Sequence, residues 1–145
     1  MNPLPDDTAW RRVSIGTLAT LLFVAAAWNG SAFAIDASGL PDGGAWVSMG
    51  LVAFLGTLLY AGPASLVSLG AVIASASGNP DQARACAGLS AIVAAACAAG
   101  LVWLGVQLVF GSPTDVAFGV VSVLLALVLL APLALCIRQY RCEHA

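Results

Sequence analysis

The feature that most constrains this chain is the spacing of its charges, which leaves four long segments without Asp, Glu, Lys, Arg or His. These segments cover residues 13–35, 43–80, 85–114 and 116–137. A helix needs about 20 apolar residues to cross the roughly 30 Å hydrocarbon core of a bilayer, and each segment is at least that long. Because unpaired backbone groups are not tolerated in lipid and alternating β patterns are absent, each segment is predicted to be a transmembrane helix.

The composition excludes an ordinary soluble domain. Only 8% of the residues are charged and 61% are hydrophobic, whereas soluble domains carry about 25% charged residues. The same balance excludes a disordered chain. The basic residues are five arginines with no lysine, so the chain has no basic patch for nucleic acid. A lipid bilayer is therefore the expected environment.

The segments between the apolar runs resemble turns, which predicts short connections. In the last of them, Ser112 is placed to cap the following helix and Asp115 occupies the position of a capping-box carboxylate. Earlier, Asn79 and Pro80 fit a helix start. Short loops favour antiparallel neighbours. We therefore predict an all-α, polytopic membrane protein, an up-down bundle of four transmembrane helices forming one domain over residues 1–145, with spans near 13–35, 45–77, 85–110 and 116–137.

The second span is unusually long and has a break in its middle. Residues 45–77 number 33, which gives roughly 50 Å as one helix. Gly62 and Pro63 lie near the centre and predict a kink. The alternative is two spans, 45–61 and 64–77, but the second piece is short and five spans would place Arg138 and Arg141 outside. We predict one long, kinked helix.

Arginine sets the expected orientation. With the N-terminus in the cytoplasm, every arginine faces the cytoplasm. The charged residues of the outer loops are then all acidic, which is the positive-inside pattern. We therefore expect a multi-pass protein of a bacterial plasma membrane with both termini cytoplasmic. Aromatic belts would then place Trp28 and Trp46 at the outer interface and Trp10 and Tyr140 at the inner one. The arginines that set the topology are Arg11, Arg12, Arg84, Arg138 and Arg141.

The first segment also resembles a secretory signal. Arg11 and Arg12 precede an apolar run that ends in an A-x-A motif at Ala34. Cleavage after Ala34 would leave a three-span protein. The apolar run is long for a signal core and is preceded by Asp6 and Asp7, so we favour an uncleaved first span.

Small residues recur every three or four positions on three of the predicted helices. Such ridges let helix backbones approach closely in lipid, so they predict packing within the bundle or, as the alternative, contact with a second copy or another membrane protein. The ridges are Gly70, Ala74 and Gly78 on the second span; Ala87, Ala91, Ala95 and Ala99 on the third, beside a parallel ridge of Cys86, Ser90, Ala94 and Ala98; and Gly119, Ser122 and Ala126 on the fourth.

The spans lack the groups that most membrane chemistry needs. No Asp, Glu, Lys, Arg or His lies within them, and the single histidine is His144, so no catalytic set can be assembled and the chain is expected not to be an enzyme. Three cysteines near the inner end have no zinc-binding spacing, so no metal or cofactor is expected. Asn29 and Gln107, the most polar side chains of the spans, are expected at the interface or in hydrogen bonds between helices.

By elimination, the sequence favours a small, non-enzymatic integral membrane protein. It would act through helix packing as an accessory, assembly, regulatory or immunity-type partner of a larger membrane complex. The alternative is a self-assembling pore, of the kind used in lysis, or a transporter subunit that uses the break at Gly62 and Pro63.

Overall fold

The computed structural model describes residues 7–39, 48–75 and 80–144, and in these residues all regular structure is helical. One π-helical turn, Thr57–Ala61, separates the second and third helices. In chain order the described α-helices are α1 (Asp7–Ala37), α2 (Met49–Gly56), α3 (Gly62–Ser75), α4 (Pro80–Leu108), α5 (Pro113–Leu129) and α6 (Ala131–His144).

Four helical runs in the described residues are long and apolar enough to cross a membrane. The first and third coincide with α1 and α4, the second joins α2 to α3 through the π turn, and the fourth joins α5 to α6. Their limits are Ala9–Ala37, Gly50–Ala74, Asp81–Leu108 and Pro113–Cys142. The predicted all-helical fold with four helices of membrane-spanning length is therefore confirmed, and it is consistent with a multi-pass membrane protein.

Helix caps explain several of the observed ends. The Ser112 hydroxyl accepts from the backbone N–H of Asp115, and the Asp115 carboxylate accepts from the backbone N–H of Ser112, so the predicted capping box at α5 is confirmed. Ser48 caps α2 in the same way, by accepting from the Leu51 N–H, and the helix begins at Met49. After α1, Gly39 adopts a φ of 76°, which glycine tolerates best. The predicted cap at Asn79 lies outside the described residues.

The fourth span contains an interruption that the sequence analysis did not single out. Between α5 and α6, Leu130 lies in a turn, and its N–H donates to the Leu127 carbonyl. Two residues later comes Pro132, which has no N–H to donate to the carbonyl of Val128. Helix α6 begins at Ala131, directly after this turn. Pro132, its second residue, is fully buried.

The helices pack around two groups of buried residues. The larger group is centred on Trp28 and Phe118 and takes in side chains from α1, α2, α3, α4 and α5. The smaller group joins Trp10 and Val13 of α1 to Ala83 and Ala87 of α4, with Cys136 of α6 against it. The second group therefore brings the beginning of α1, the beginning of α4 and the middle of α6 to one end of the molecule.

Candidate functional site

Trp28 makes both an aromatic and a polar contact in the core. Its indole stacks on the ring of Phe118 with centroids 5.4 Å apart and planes 17° apart. Its Nε1–H donates to the Ser122 hydroxyl at 3.0 Å, and that hydroxyl donates to the Phe118 carbonyl at 2.8 Å. On its other side lies Gly56, where an added Cβ would stand 2.6 Å from the indole Cη2. Trp28 therefore joins α1 to both α2 and α5.

Trp28 and Trp10, which the sequence analysis assigned to the two membrane interfaces, pack against other helices rather than facing outward. Trp28 is 7% exposed and Trp10 is 1% exposed, so both belong to the packed interior. The reason is that small partners leave room for an indole: Gly56 and Ser122 beside Trp28, and Ala83 and Ala87 beside Trp10. Tyr140 is half-exposed, and Trp46 lies outside the described residues.

The prediction that Asn29 forms a hydrogen bond between helices is confirmed. Its Nδ2 donates to the Thr57 hydroxyl at 2.7 Å and to the carbonyl of Ala25, one turn back on its own helix, at 2.8 Å. The Thr57 hydroxyl in turn donates to the Ala53 carbonyl. This chain of bonds satisfies the Asn29 amide N–H groups inside the apolar core and fixes α1 beside the first residue of the π turn. Gln107 is exposed on α4.

The backbone beside the predicted break adopts a π-helical pattern. The N–H of Gly62 donates to the carbonyl of Thr57, five residues earlier, and Pro63 follows without an N–H to donate. The Cys97 thiol of α4 lies 4.0 Å from the carbonyl oxygen of Tyr60. A π turn inserts one residue into a helix, often at a functional position.

Three polar side chains lie close to this break in the sequence, those of Tyr60, Ser65 and Ser68. The structure places the Tyr60 side chain outward, 70% exposed, and Ser65 at an intermediate position. Ser68 is fully buried, yet its hydroxyl has no hydrogen-bond partner, and the same is true of Ser14 on α1. The group that faces a carbonyl of the π turn is instead the Cys97 thiol.

Two glycines set the closest approach between α4 and α5. A Cβ on Gly105 would lie 2.8 Å from the carbonyl oxygen of Gly119 and 2.6 Å from Cγ2 of Val123. A Cβ on Gly119 would lie 2.9 Å from the Gly105 carbonyl oxygen and 3.1 Å from Cβ of Leu108. The two backbones therefore touch at a point that only glycine on both helices allows. Gly119 was in a predicted ridge, whereas the sequence analysis missed Gly105.

The third-span ridges are used only in part inside the molecule. An i, i+4 ridge rotates around a helix by about 40° at each step, so a straight contact line must cross from one ridge to its neighbour. On α4 that line begins on one predicted ridge and continues on the other. Buried along it are Ala87, Ser90, Ala91, Ala94 and Ala98, while Ala95 is half-buried and Ala99 is exposed.

The other two predicted ridges differ in burial. On α5 all three members, Gly119, Ser122 and Ala126, are buried against the rest of the molecule. On α3, Gly70 is exposed with nothing near its Cβ position and Ala74 is half-buried, whereas Gly78 lies outside the described residues. The α5 ridge packs inside the molecule, and the α3 ridge is left partly open.

One face of α1 carries small residues that nothing in the described structure covers. Ala26, Gly30 and Ala34 recur every four residues and are all exposed, and the space around a Cβ on Gly30 is empty to 4 Å. We call these three residues the outer α1 ridge. The sequence analysis missed it because an alanine-rich helix offers several such ridges and only packing decides which of them stays free.

The arginines lie near one end of the molecule. Arg11 and Arg12 lie between Trp10 and Val13, Arg84 directly follows Ala83, and Arg138 lies two residues after Cys136. Trp10, Val13, Ala83 and Cys136 all belong to the smaller buried group. Arg84 pairs with Asp81 at 3.0 Å. Arg138 and Arg141 are exposed on α6. The structure therefore brings the arginine-bearing parts of α1, α4 and α6 together.

The described residues contain no group of three His, Cys, Asp or Glu side chains that could hold a metal ion. Cys86, Cys97, Cys136 and Cys142 are free thiols.

Comparison with protein-family models, with curated proteins and with solved structures finds no match to this chain. The four helices of membrane-spanning length and composition are consistent with a multi-pass membrane protein.

Proposed function

We propose that this chain is a non-enzymatic integral membrane protein that acts as an accessory, assembly, regulatory or immunity-type partner of a larger membrane complex. The observation that carries the proposal is the outer α1 ridge, Ala26, Gly30 and Ala34, which none of the described residues covers. Ridges of small residues allow a second helix to approach closely in lipid, where packing rather than the hydrophobic effect drives association.

The proposal includes an arrangement of the spans. The four helices form an up-down bundle whose second span bends at Gly62 and Pro63, and both ends of the chain face the cytoplasm. Antiparallel contacts support this arrangement: the Asp36 carboxylate, near the end of α1, accepts from the Gly50 N–H at the start of α2 at 2.8 Å. The grouping of the arginine-bearing helix segments supports the orientation.

Accessibility labelling tests the orientation. The four native cysteines are first replaced by serine or alanine, and single cysteines are then introduced as Asp42→Cys and Arg84→Cys. An impermeant maleimide added to intact cells is expected to label the first variant and to label the second only after the membrane is opened. The reverse pattern would overturn the proposed orientation.

Site-specific cross-linking tests the partner. A photo-reactive residue placed at Ala34, at one end of the outer α1 ridge, is expected to cross-link in native membranes to one other chain at a constant ratio. The bulky Gly30→Leu variant should abolish that product. Gly100→Leu is the matched control, because Gly100 is also exposed with open space at its Cβ but lies on α4. A chain that purifies alone, with no cross-link at Ala34, would contradict the proposal.

The second candidate function is a self-assembling pore or a transporter subunit. It is favoured by the π turn Thr57–Ala61, next to Gly62 and Pro63, and by the unpartnered buried hydroxyls of Ser14 and Ser68. Such breaks form binding sites in transporters. Purified protein in liposomes would then conduct a solute, and Pro63→Ala would change the rate. A uniform ring of copies in native mass measurements would favour this candidate over the first.

A further inference from the structure

An open groove runs along α6 where the fourth span ends. It has a volume of about 510 Å³ and is lined by Ala134, Ile137, Arg138, Arg141 and Cys142. The spacing of these residues, three or four positions apart, places them on one face of the helix. All five are exposed.

The groove changes from apolar to cationic along its length. Ala134 and Ile137 belong to the last charge-free segment, which ends at residue 137, and Arg138 is the first charge after it. In a chain that crosses the bilayer, the apolar part of the groove therefore lies at the depth of the acyl chains. The arginines lie at the depth of the headgroups, where long cationic side chains reach polar groups.

The two guanidinium groups are available to an anion. Arg138 and Arg141 are one helical turn apart, about 4.5 Å along the axis, so both can reach a single phosphate. Among the side chains whose positions the structure describes, which end at Cys142, neither forms an ion pair with an acidic group. Arg84, by contrast, is paired with Asp81. A planar guanidinium with several N–H donors matches phosphate oxygens well.

We propose that this groove is a binding site for one anionic phospholipid, whose phosphate binds Arg138 and Arg141 and whose acyl chain lies against Ala134 and Ile137. Both properties of the groove are needed for this assignment. A free anion would use only the arginines, and a lipid without a phosphate only the apolar floor. Basic residues that directly follow a transmembrane helix attract the headgroups of anionic lipids. The site is independent of the outer α1 ridge, which lies on another helix.

Native mass spectrometry of the detergent-solubilised protein tests the site. Phosphatidylglycerol and phosphatidylcholine with identical acyl chains are titrated separately, and bound lipids are counted. One phosphatidylglycerol is expected to bind at least 10-fold more tightly than phosphatidylcholine. An arginine near an anionic headgroup strengthens binding by about five-fold, so Arg138→Gln with Arg141→Gln should weaken phosphatidylglycerol binding by roughly 30-fold.

The matched control removes two charges elsewhere at the same end of the molecule. Arg12→Gln with Arg84→Gln leaves the groove intact and should change the affinity by less than about two-fold. A second groove variant, Ala134→Phe, keeps both charges but fills the apolar floor, and it should also weaken lipid binding. Circular dichroism and gel filtration identify any variant that fails to fold. If the Arg138→Gln, Arg141→Gln pair fails to fold, the single substitution Arg141→Gln replaces it.

Three results would overturn the proposal. Equal loss in the groove and control pairs would mean that general surface charge, not this groove, attracts the lipid. Equal affinity for phosphatidylglycerol and phosphatidylcholine would show that the site does not select an anionic lipid. Displacement of the lipid by inorganic phosphate in 10-fold excess, with no effect of Ala134→Phe, would show an anion site rather than a phospholipid site.

Discussion

Replacing Gly56 with alanine should produce a specific clash in the core. The new Cβ would lie 2.6 Å from Cη2 and 2.9 Å from Cζ3 of Trp28, so the indole would have to move. It cannot move freely, because it stacks on Phe118 and donates to Ser122. Added volume in a packed core usually costs about 1–3 kcal/mol.

A glycine without neighbours provides the reference for this experiment. A Cβ on Gly88 of α4 would meet nothing within 4 Å, so Gly88→Ala reports only the general benefit of alanine in a helix, about 0.5–1 kcal/mol. We expect the free energy of unfolding of Gly56→Ala to be lower than that of Gly88→Ala by about 1–3 kcal/mol.

A double-mutant cycle identifies the clash as the cause. Phenylalanine at position 28 lacks the outer part of the indole, so the cost of Gly56→Ala should fall by at least ~1 kcal/mol in the Trp28→Phe background. Steric trapping in bicelles, which couples unfolding to streptavidin binding, measures all four free energies. An equal cost of Gly56→Ala in both backgrounds, or a cost no larger than that of Gly88→Ala, would refute the argument.

Three further substitutions test contacts between or at the ends of helices. Gly105→Ala should lower the free energy of unfolding by about 1–3 kcal/mol in the same assay, because its Cβ would meet a backbone carbonyl of α5; Gly100→Ala, with open space, is the control, and an equal effect of both would contradict the close crossing. Asn29→Leu should lower the free energy of unfolding by about 0.6–2 kcal/mol through the lost bond to Thr57. This loss should largely disappear in a Thr57→Val background, and an equal loss in both backgrounds would count against the bond. Ser112→Ala should cost about 1 kcal/mol by removing the α5 cap and should speed hydrogen exchange at the first amides of α5; unchanged exchange there would show that the cap is not needed.

The local chemistry of several elements could be predicted from neighbouring residues. The capping box at Ser112 and Asp115 was predicted, because both hydrogen bonds join groups three residues apart. The polar role of Asn29 was also predicted, since an amide in an apolar helix needs a partner. Its particular partner, Thr57, was not, because 28 residues separate the two and only the packing of α1 against the π turn brings them together.

The core contact of Trp28 shows the limit of this reasoning. The sequence near residue 28 is compatible with an interfacial tryptophan as well as with a buried one. The buried position depends on Gly56 and Ser122, from two other helices, leaving space and an acceptor for the indole. The close crossing at Gly105 and Gly119 could not be predicted either, because the sequence around each glycine does not distinguish it from the other glycines of the chain.

What the sequence determined by itself is the number of long apolar helices and the segments that form them, because the energy of placing charges in hydrocarbon depends on each segment alone. Which faces of those helices meet, and which remain open as at Gly30 and along the groove of α6, was decided only by the tertiary structure. The physical reason is that close packing is a property of pairs of surfaces. In a chain where small residues lie on every side of the helices, many such pairs are possible, and the shapes of distant residues select among them.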